Sequence, residues 1–190
     1  MIKKNFAIVA FAWLPLILFG QTQGLVIQTG LTASYSKDAN ITTANQAHYG
    51  WMIGADARIL EGDLYFILGA QYHKTDLASK SSPDFFKNDW NILMTRAGFG
   101  FNILQLSERS AIRSKLLGSI NFILDGPSGG LNKPGYTELN DSFLGVVSGL
   151  GITLGSFDFD LDFQYGVINS FYKQPKSTFD SWTLMVGFHF

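Results

Sequence analysis

The feature that most constrains this chain is a series of eight runs in which apolar and polar residues alternate. Strict alternation is typical of β-strands that present one apolar and one polar face. Each run reaches the roughly nine to eleven residues that a tilted strand needs to cross a bilayer. The eight predicted strands cover residues 25–36, 49–60, 64–74, 90–104, 111–124, 143–154, 157–171 and 181–190.

The connections between these runs alternate in length. Three are tight turns, near Gly62, Glu108 and Gly155. The other four are long and polar, and they hold the four prolines outside the N-terminal segment, which suits loops because proline removes a hydrogen bond from a strand ladder. Short turns at one rim and long loops at the other predict an all-β protein, an eight-stranded antiparallel up-and-down transmembrane β-barrel.

The first 20 residues have the features of a signal peptide. Lys3 and Lys4 precede an apolar run, residues 6–19, that is too short to span a bilayer as a helix. We expect cleavage within residues 20–24, followed by one barrel domain at 25–190 that contains no cysteine. A signal peptide before such a barrel predicts location in the outer membrane of a Gram-negative cell.

Alternation alone does not show which face of the barrel points outward, because a soluble lipocalin-like carrier keeps its apolar face inside. The polar face of these strands is also rich in glycine, which destabilises an exposed strand but leaves room for neighbours in a crowded lumen. We therefore predict that the polar face points inward. The glycines on that face are Gly30, Gly54, Gly69, Gly98, Gly100, Gly145, Gly149, Gly151, Gly166 and Gly187.

Four acidic and four basic residues fall on the predicted lumen face. An unpaired charge in such an interior costs several kcal/mol, so the balance predicts mutual ion pairing in a filled lumen. A gated or ion-conducting path lined by the same groups is the alternative. The predicted network consists of Asp56, Arg58, Arg96, Arg113, Lys115, Asp158, Asp160 and Asp162.

Aromatic residues cluster near the strand ends, as in the girdles of membrane barrels. At the long-loop ends the predicted interface girdle comprises Trp51, Tyr72, Trp90 and Trp182. Trp90 has the parity of Arg96, so it joins the girdle only if its strand bulges or starts later; otherwise it caps the barrel mouth. At the short-turn ends the predicted girdle comprises Phe66, Phe101, Phe157 and Phe188.

Three segments carry a resemblance to a known family. They are YGWMIGADARILEGDLYFILGAQYHKTDL at 49–77, GLGITLGSFDFDLDFQYGVINSF at 149–171 and WTLMVGFHF at 182–190. The pattern resembles the small PorT-type outer-membrane barrels of Bacteroidetes, which are OmpA/OmpX-like eight-stranded barrels. The resemblance implies fold and location, and PorT itself is associated with type IX secretion. The terminal Phe188 and Phe190 resemble the signal read by the barrel assembly machinery.

No motif in the sequence predicts a catalytic, cofactor or metal site. The Asp158, Asp160, Asp162 series begins like an EF-hand loop, but Phe163 and Asn169 occupy the places of its glycine and its bidentate acid. His73 with Asp76 and Ser79 is a weak hydrolytic or metal-binding alternative. A net charge of -1 offers no field for nucleic acid.

We therefore predict a structural or interaction scaffold that is not an enzyme and that presents loops at the cell surface, within an envelope or secretion assembly. Its expected partners are outer-membrane lipid, the barrel assembly machinery during biogenesis, and an envelope protein that the sequence does not identify. The alternatives are a lipid-active enzyme, an acyl hydrolase or transferase, and the soluble lipocalin-like carrier.

Overall fold

The computed structural model describes residues 24–36, 48–59, 62–76, 89–125, 140–169 and 178–190. The predicted signal peptide and most of each long connection lie outside these ranges. Among the described residues, no helix is long and apolar enough to cross a bilayer. The strands are β1 (Gly24–Ser36), β2 (His48–Ile59), β3 (Leu64–Asp76), β4 (Asp89–Ser107), β5 (Ser110–Asp125), β6 (Ser142–Leu154), β7 (Phe157–Gly166) and β8 (Phe179–His189).

The eight strands form one closed barrel in which each strand pairs with its sequence neighbours and β1 pairs antiparallel with β8. The predicted fold is confirmed. One circuit of paired residues starts at Gly24 and returns to β1 at Ser34, ten residues later. Such a stagger tilts the strands by about 40° and leaves an interior that side chains alone can fill.

Two strand ends differ from the prediction. β4 continues past residue 104 to Ser107, with a β-bulge between Asn102 and Leu104 that the alternation pattern did not reveal. β7 ends at Gly166 and not at 171. On the β8 side the Gly166 N–H donates to the Asp180 side chain (3.0 Å), a side-chain acceptor that competes with the ladder, whereas on the β6 side the Val167 N–H still donates to the Leu144 carbonyl (2.9 Å).

Two of the tight turns depend on glycine. Gly62 and Gly155 have φ angles of 124° and 65°, a region that other residues rarely adopt. The Gly155 N–H donates to the Arg109 carbonyl at 2.8 Å, so the β6–β7 turn is tied to the β4–β5 turn beside it. These contacts fix the short-turn rim of the barrel.

Candidate functional site: the charged lumen and its apolar wall

The outer face of the barrel wall is a continuous apolar surface. Phe159, Leu161 and Leu184 point outward and are 42%, 45% and 58% exposed. Their neighbours Asp158, Asp160 and Asp162 point inward and are at most 4% exposed. The alternation therefore has the opposite sense to that of a lipocalin-like carrier, and the carrier hypothesis loses its basis.

Two hydroxyl groups on this apolar wall have hydrogen-bond partners within the wall. The Thr29 hydroxyl donates to the Met52 carbonyl at 2.9 Å, and the Tyr72 hydroxyl donates to Asn91 Oδ1 at 2.8 Å. A polar group in hydrocarbon needs such an internal partner because no water is available. An apolar wall around a polar interior is the pattern of transmembrane β-barrels.

Three of the four residues predicted for the long-loop girdle lie on the outside. Trp51 and Tyr72 pack with ring centroids 5.7 Å apart, and Trp182 packs on Phe163 at 4.7 Å. Trp90 is 1% exposed and lies inside the barrel, so the girdle assignment is wrong for this residue. The register shift at this end lies on β5, which skips Leu124, so β4 runs without a bulge from Trp90 to Arg96 and Trp90 keeps the inward parity of Arg96.

Phenylalanine rings form a second outer cluster near the short turns. Phe66 packs edge-on against Phe99 at 5.6 Å, and Phe157 packs against Phe188 at 5.5 Å. Phe190 follows Phe188 at 5.0 Å and is 69% exposed. Both terminal phenylalanines therefore point away from the lumen; their role as an assembly signal stays a prediction.

The structure brings all eight residues of the predicted lumen network together as a chain of alternating charge. Seven ion pairs join them among the described residues, with N···O distances of 2.5–3.6 Å. In spatial order the chain runs Arg58, Asp158, Arg113, Asp160, Lys115, Asp162, Arg96, Asp56. Its two ends lie two residues apart on β2, so the chain almost closes into a ring around the lumen.

Arg96 is the best-connected cation of this chain. Its Nε and Nη2 donate to the two oxygens of Asp56, at 3.0 and 2.5 Å, and its Nη1 donates to Asp162 at 2.9 Å. The side chain is 2% exposed. A buried guanidinium held by two carboxylates is stable only as a set, because removing any member leaves a buried charge without compensation.

Glycines create the space that this charge chain occupies. A Cβ atom at Gly69 would overlap the Asp56 carboxylate, and one at Gly151 would overlap the Asp160 carboxylate. A Cβ at Gly149 would overlap Asp162 and lie 2.7 Å from Lys115 Cε. Charged side chains on one strand thus lie over glycines on the next strand, which explains why the lumen face is rich in both.

The long-loop half of the lumen contains mainly neutral residues, together with the buried side chain of Asp180. His73 is 5% exposed; its Nε2 accepts from the Gln71 side-chain amide at 3.0 Å, and its Nδ1 lies 3.4 Å from the Thr32 hydroxyl. His73 faces the lumen, opposite Met52. Ser79, its partner in the hydrolytic alternative, lies outside the described residues. Above this layer Trp90, Phe143 and Phe179 close the lumen as an aromatic lid, with the two phenylalanine rings 5.5 Å apart.

The arrangement of the described residues fills space and does not hold an obvious reaction centre. No group of three or more His, Cys, Asp or Glu side chains in those ranges is placed to hold a metal ion. Both histidines whose side chains are described, His73 and His189, belong to lumen positions and not to the lipid face. Sequence reasoning missed the lid residues Phe143 and Phe179, although their parity with Gly145 and Ser181 would have placed them inward.

The sequence matches no protein-family model and no curated protein. Among solved structures, the chain is similar to neisserial surface protein A (NspA), with a TM-score of 0.55 and 14% identity over 87% of this chain and 95% of that one. It is also similar to Ail, the attachment invasion locus protein of Yersinia pestis, with a TM-score of 0.49 and 14% identity over 88% and 98% of the two chains. The similarity to NspA supports the eight-stranded barrel fold.

Proposed function

We propose that this protein is an outer-membrane barrel that acts as a scaffold, holding its four long inter-strand segments at the cell surface. The observation that carries the proposal is the division of side chains across the wall, with apolar residues outward and charged residues paired inside. Such a wall is stable only against hydrocarbon, and eight strands leave no continuous channel between the packed lumen side chains. NspA, whose name describes it as a surface protein, has the same fold.

The placement of the connections supports a role for the long segments. The long segments all connect strands at one end of the barrel, and the tight turns connect strands at the other end. The long segments are residues 37–47, 77–88, 126–139 and 170–177. In outer-membrane barrels the longer loops face outward from the cell. Variable chemistry on a rigid frame is the usual arrangement for recognition.

The proposal has two finer parts, a relationship to PorT-type barrels and membership in a secretion assembly. The first rests on the resemblance of residues 49–77, 149–171 and 182–190. Both predict a stoichiometric envelope partner. The lipid-active enzyme remains the competing class, and it predicts altered lipid A chemistry when the gene is deleted.

Two experiments test the scaffold proposal. Whole cells treated with protease should lose epitope tags inserted in 126–139 but keep a tag inserted at the Glu108 turn. Affinity capture from detergent-solubilised outer membranes should recover a partner with the intact chain, and shortening one of the long segments should abolish its recovery. Protection of the long-segment tags, with cleavage at the turn, would reverse the orientation and refute the proposal.

Absence of conductance is a further expectation of the filled lumen. Pure protein in a planar bilayer should show no large, steady pore. Reproducible porin-like conductance would support the alternative of a conducting path along the charged residues.

A further inference from the structure

The lumen ends in an open cavity at the short-turn mouth. The cavity has a volume of about 330 Å³, within the size range of pockets for small ligands. Its lining combines three arginines, Arg58, Arg109 and Arg113, with Tyr65 and His189. The cavity lies at the opposite end of the barrel from the long segments, so the scaffold role does not use it.

Two buried polar atoms in the cavity lining lack a hydrogen-bond partner among the described residues. They are Tyr65 Oη and Arg113 Nε, on side chains that are 5% and 3% exposed. The Tyr65 hydroxyl lies beside the Arg113 guanidinium. A buried donor without an acceptor costs about 1–3 kcal/mol, so an acceptor arriving in the cavity would recover that free energy.

Among the residues that line this mouth, cations outnumber anions, since three arginines line it with one acid, Glu108. Behind them Arg113 also pairs with Asp160 at 3.2 Å. The carboxylate of Asp158 is shared between Arg58 (2.6 Å) and Arg113 (3.1 Å), and it also accepts a hydrogen bond from Thr153. Arg58 ends the chain of alternating charge and forms one ion pair among the described residues, with Asp158. Arg109 adds a third cation at the exposed β4–β5 turn, and the neighbouring Glu108 offsets one charge.

The floor of the cavity holds these donors in fixed positions. The Tyr65 ring packs over Gly100, where a Cβ atom would overlap it, and the Arg58 guanidinium lies 5.6 Å from the centre of that ring. Because the donors are already ordered, a ligand would pay little entropy to organise them. Arginines and a hydroxyl that converge in this way match the acceptor geometry of a carboxylate or phosphate group.

We propose that the short-turn mouth is a binding site for a small oxyanion ligand, a carboxylate or a phosphate group, with Tyr65 Oη, Arg113 Nε and Arg58 as its donors. The amide side chains of Asn102 and Gln105 also line the cavity and suit the peptide groups of a short peptide that ends in a free carboxylate.

The test uses the full chain in detergent micelles and NMR shifts of the Asn102, Ser110 and Thr153 amides. The probes are N-acetyl-alanyl-alanine, its C-terminal amide, and inorganic phosphate. We expect saturable shifts with the free carboxylate and none with the amide. Saturation by phosphate but not by the peptide would also support the site and would identify phosphate as its ligand.

Matched variants separate recognition from folding. Y65F should weaken binding about tenfold, because it removes one hydrogen bond to a charged group. Y72F makes the same change on the outer wall and should leave binding unchanged. R109A, at an exposed turn, should weaken binding and reduce its salt dependence without affecting the folded barrel.

Three results would overturn the proposal. They are the absence of saturable shifts with either oxyanion up to about 10 mM, equal binding of the carboxylate and its amide, and unchanged binding in both Y65F and R109A. None of these results depends on which way the long segments face, so failure of this site would leave the scaffold proposal intact.

Discussion

The two halves of the lumen are filled in different ways inside the same wall. The half near the short turns contains the chain of eight alternating charges. The half near the long segments contains mainly neutral polar residues and the buried Asp180 beneath a lid of Trp90, Phe143 and Phe179. The first depends on charge balance and the second on close packing. The lumen of a narrow barrel can therefore be filled either by paired charges or by closely packed side chains. Substitutions should destabilise each half for a different reason.

The largest difference is expected for the loss of a charge. R96M should destabilise the barrel by about 4 kcal/mol, because Asp56 and Asp162 would keep their buried charges without this cation. The measurement is the free energy of unfolding by urea in lipid vesicles, followed by tryptophan fluorescence.

Q164M is the matched control in the mainly neutral half. Gln164 is 3% exposed and its amide makes no hydrogen bond among the described residues, so this variant should change stability by at most about 1 kcal/mol. Equal losses in R96M and Q164M would remove the distinction between the halves.

The lid should respond to loss of volume. W90A should cost about 3 kcal/mol in the same assay, because the ring is 1% exposed and its removal leaves a cavity. W182A removes the same side chain from the outer wall, where Trp182 is 44% exposed, and should cost about 1 kcal/mol. Should W182A prove the more damaging variant, Trp90 would not be the inward residue of the pair.

A smaller effect should follow from filling the space beneath a charged side chain. G69A should cost about 2 kcal/mol, because its methyl group would overlap the Asp56 carboxylate and lie 2.9 Å from the Ala55 carbonyl oxygen. G118A is the control, since Gly118 points outward and the nearest atom to its added methyl is 3.9 Å away. That variant should be neutral or slightly stabilising. Thermal unfolding followed by gel mobility would compare the two, and equal shifts would show that lumen glycines do not make room for charge.

Much of the fold could be predicted because period-two alternation fixes parity, and parity fixes which face each side chain joins. The same rule places the eight charged residues together inside the barrel. It fails at Ile103, where a bulge shifts the phase, and at Gly166, where the Asp180 side chain replaces a backbone acceptor. Neither the bulge nor the side-chain acceptor can be recognised from the alternation of apolar and polar residues.

The order of the ion pairs could not be predicted, because it depends on register and stagger between strands distant in sequence. Arg96 on β4 reaches Asp162 on β7 only because the tilted strands bring their side chains to one level of the lumen. The assignment of Trp90 to the girdle failed for a different reason, since residue type favoured the interface while parity favoured the lumen. Parity decided the outcome.

Tryptophan quenching by lipids brominated on their acyl chains tests the inside-outside assignment most directly. Three of the four tryptophans, Trp51, Trp90 and Trp182, lie in the barrel strands, and Trp13 belongs to the predicted signal peptide. Variants of the mature chain that keep one of the three and carry phenylalanine at the other two therefore report on single positions. In vesicles, the variants keeping Trp51 or Trp182 should be strongly quenched, and the variant keeping Trp90 should be nearly unaffected. Strong quenching of Trp90, with protection of Trp51 and Trp182, would contradict the account.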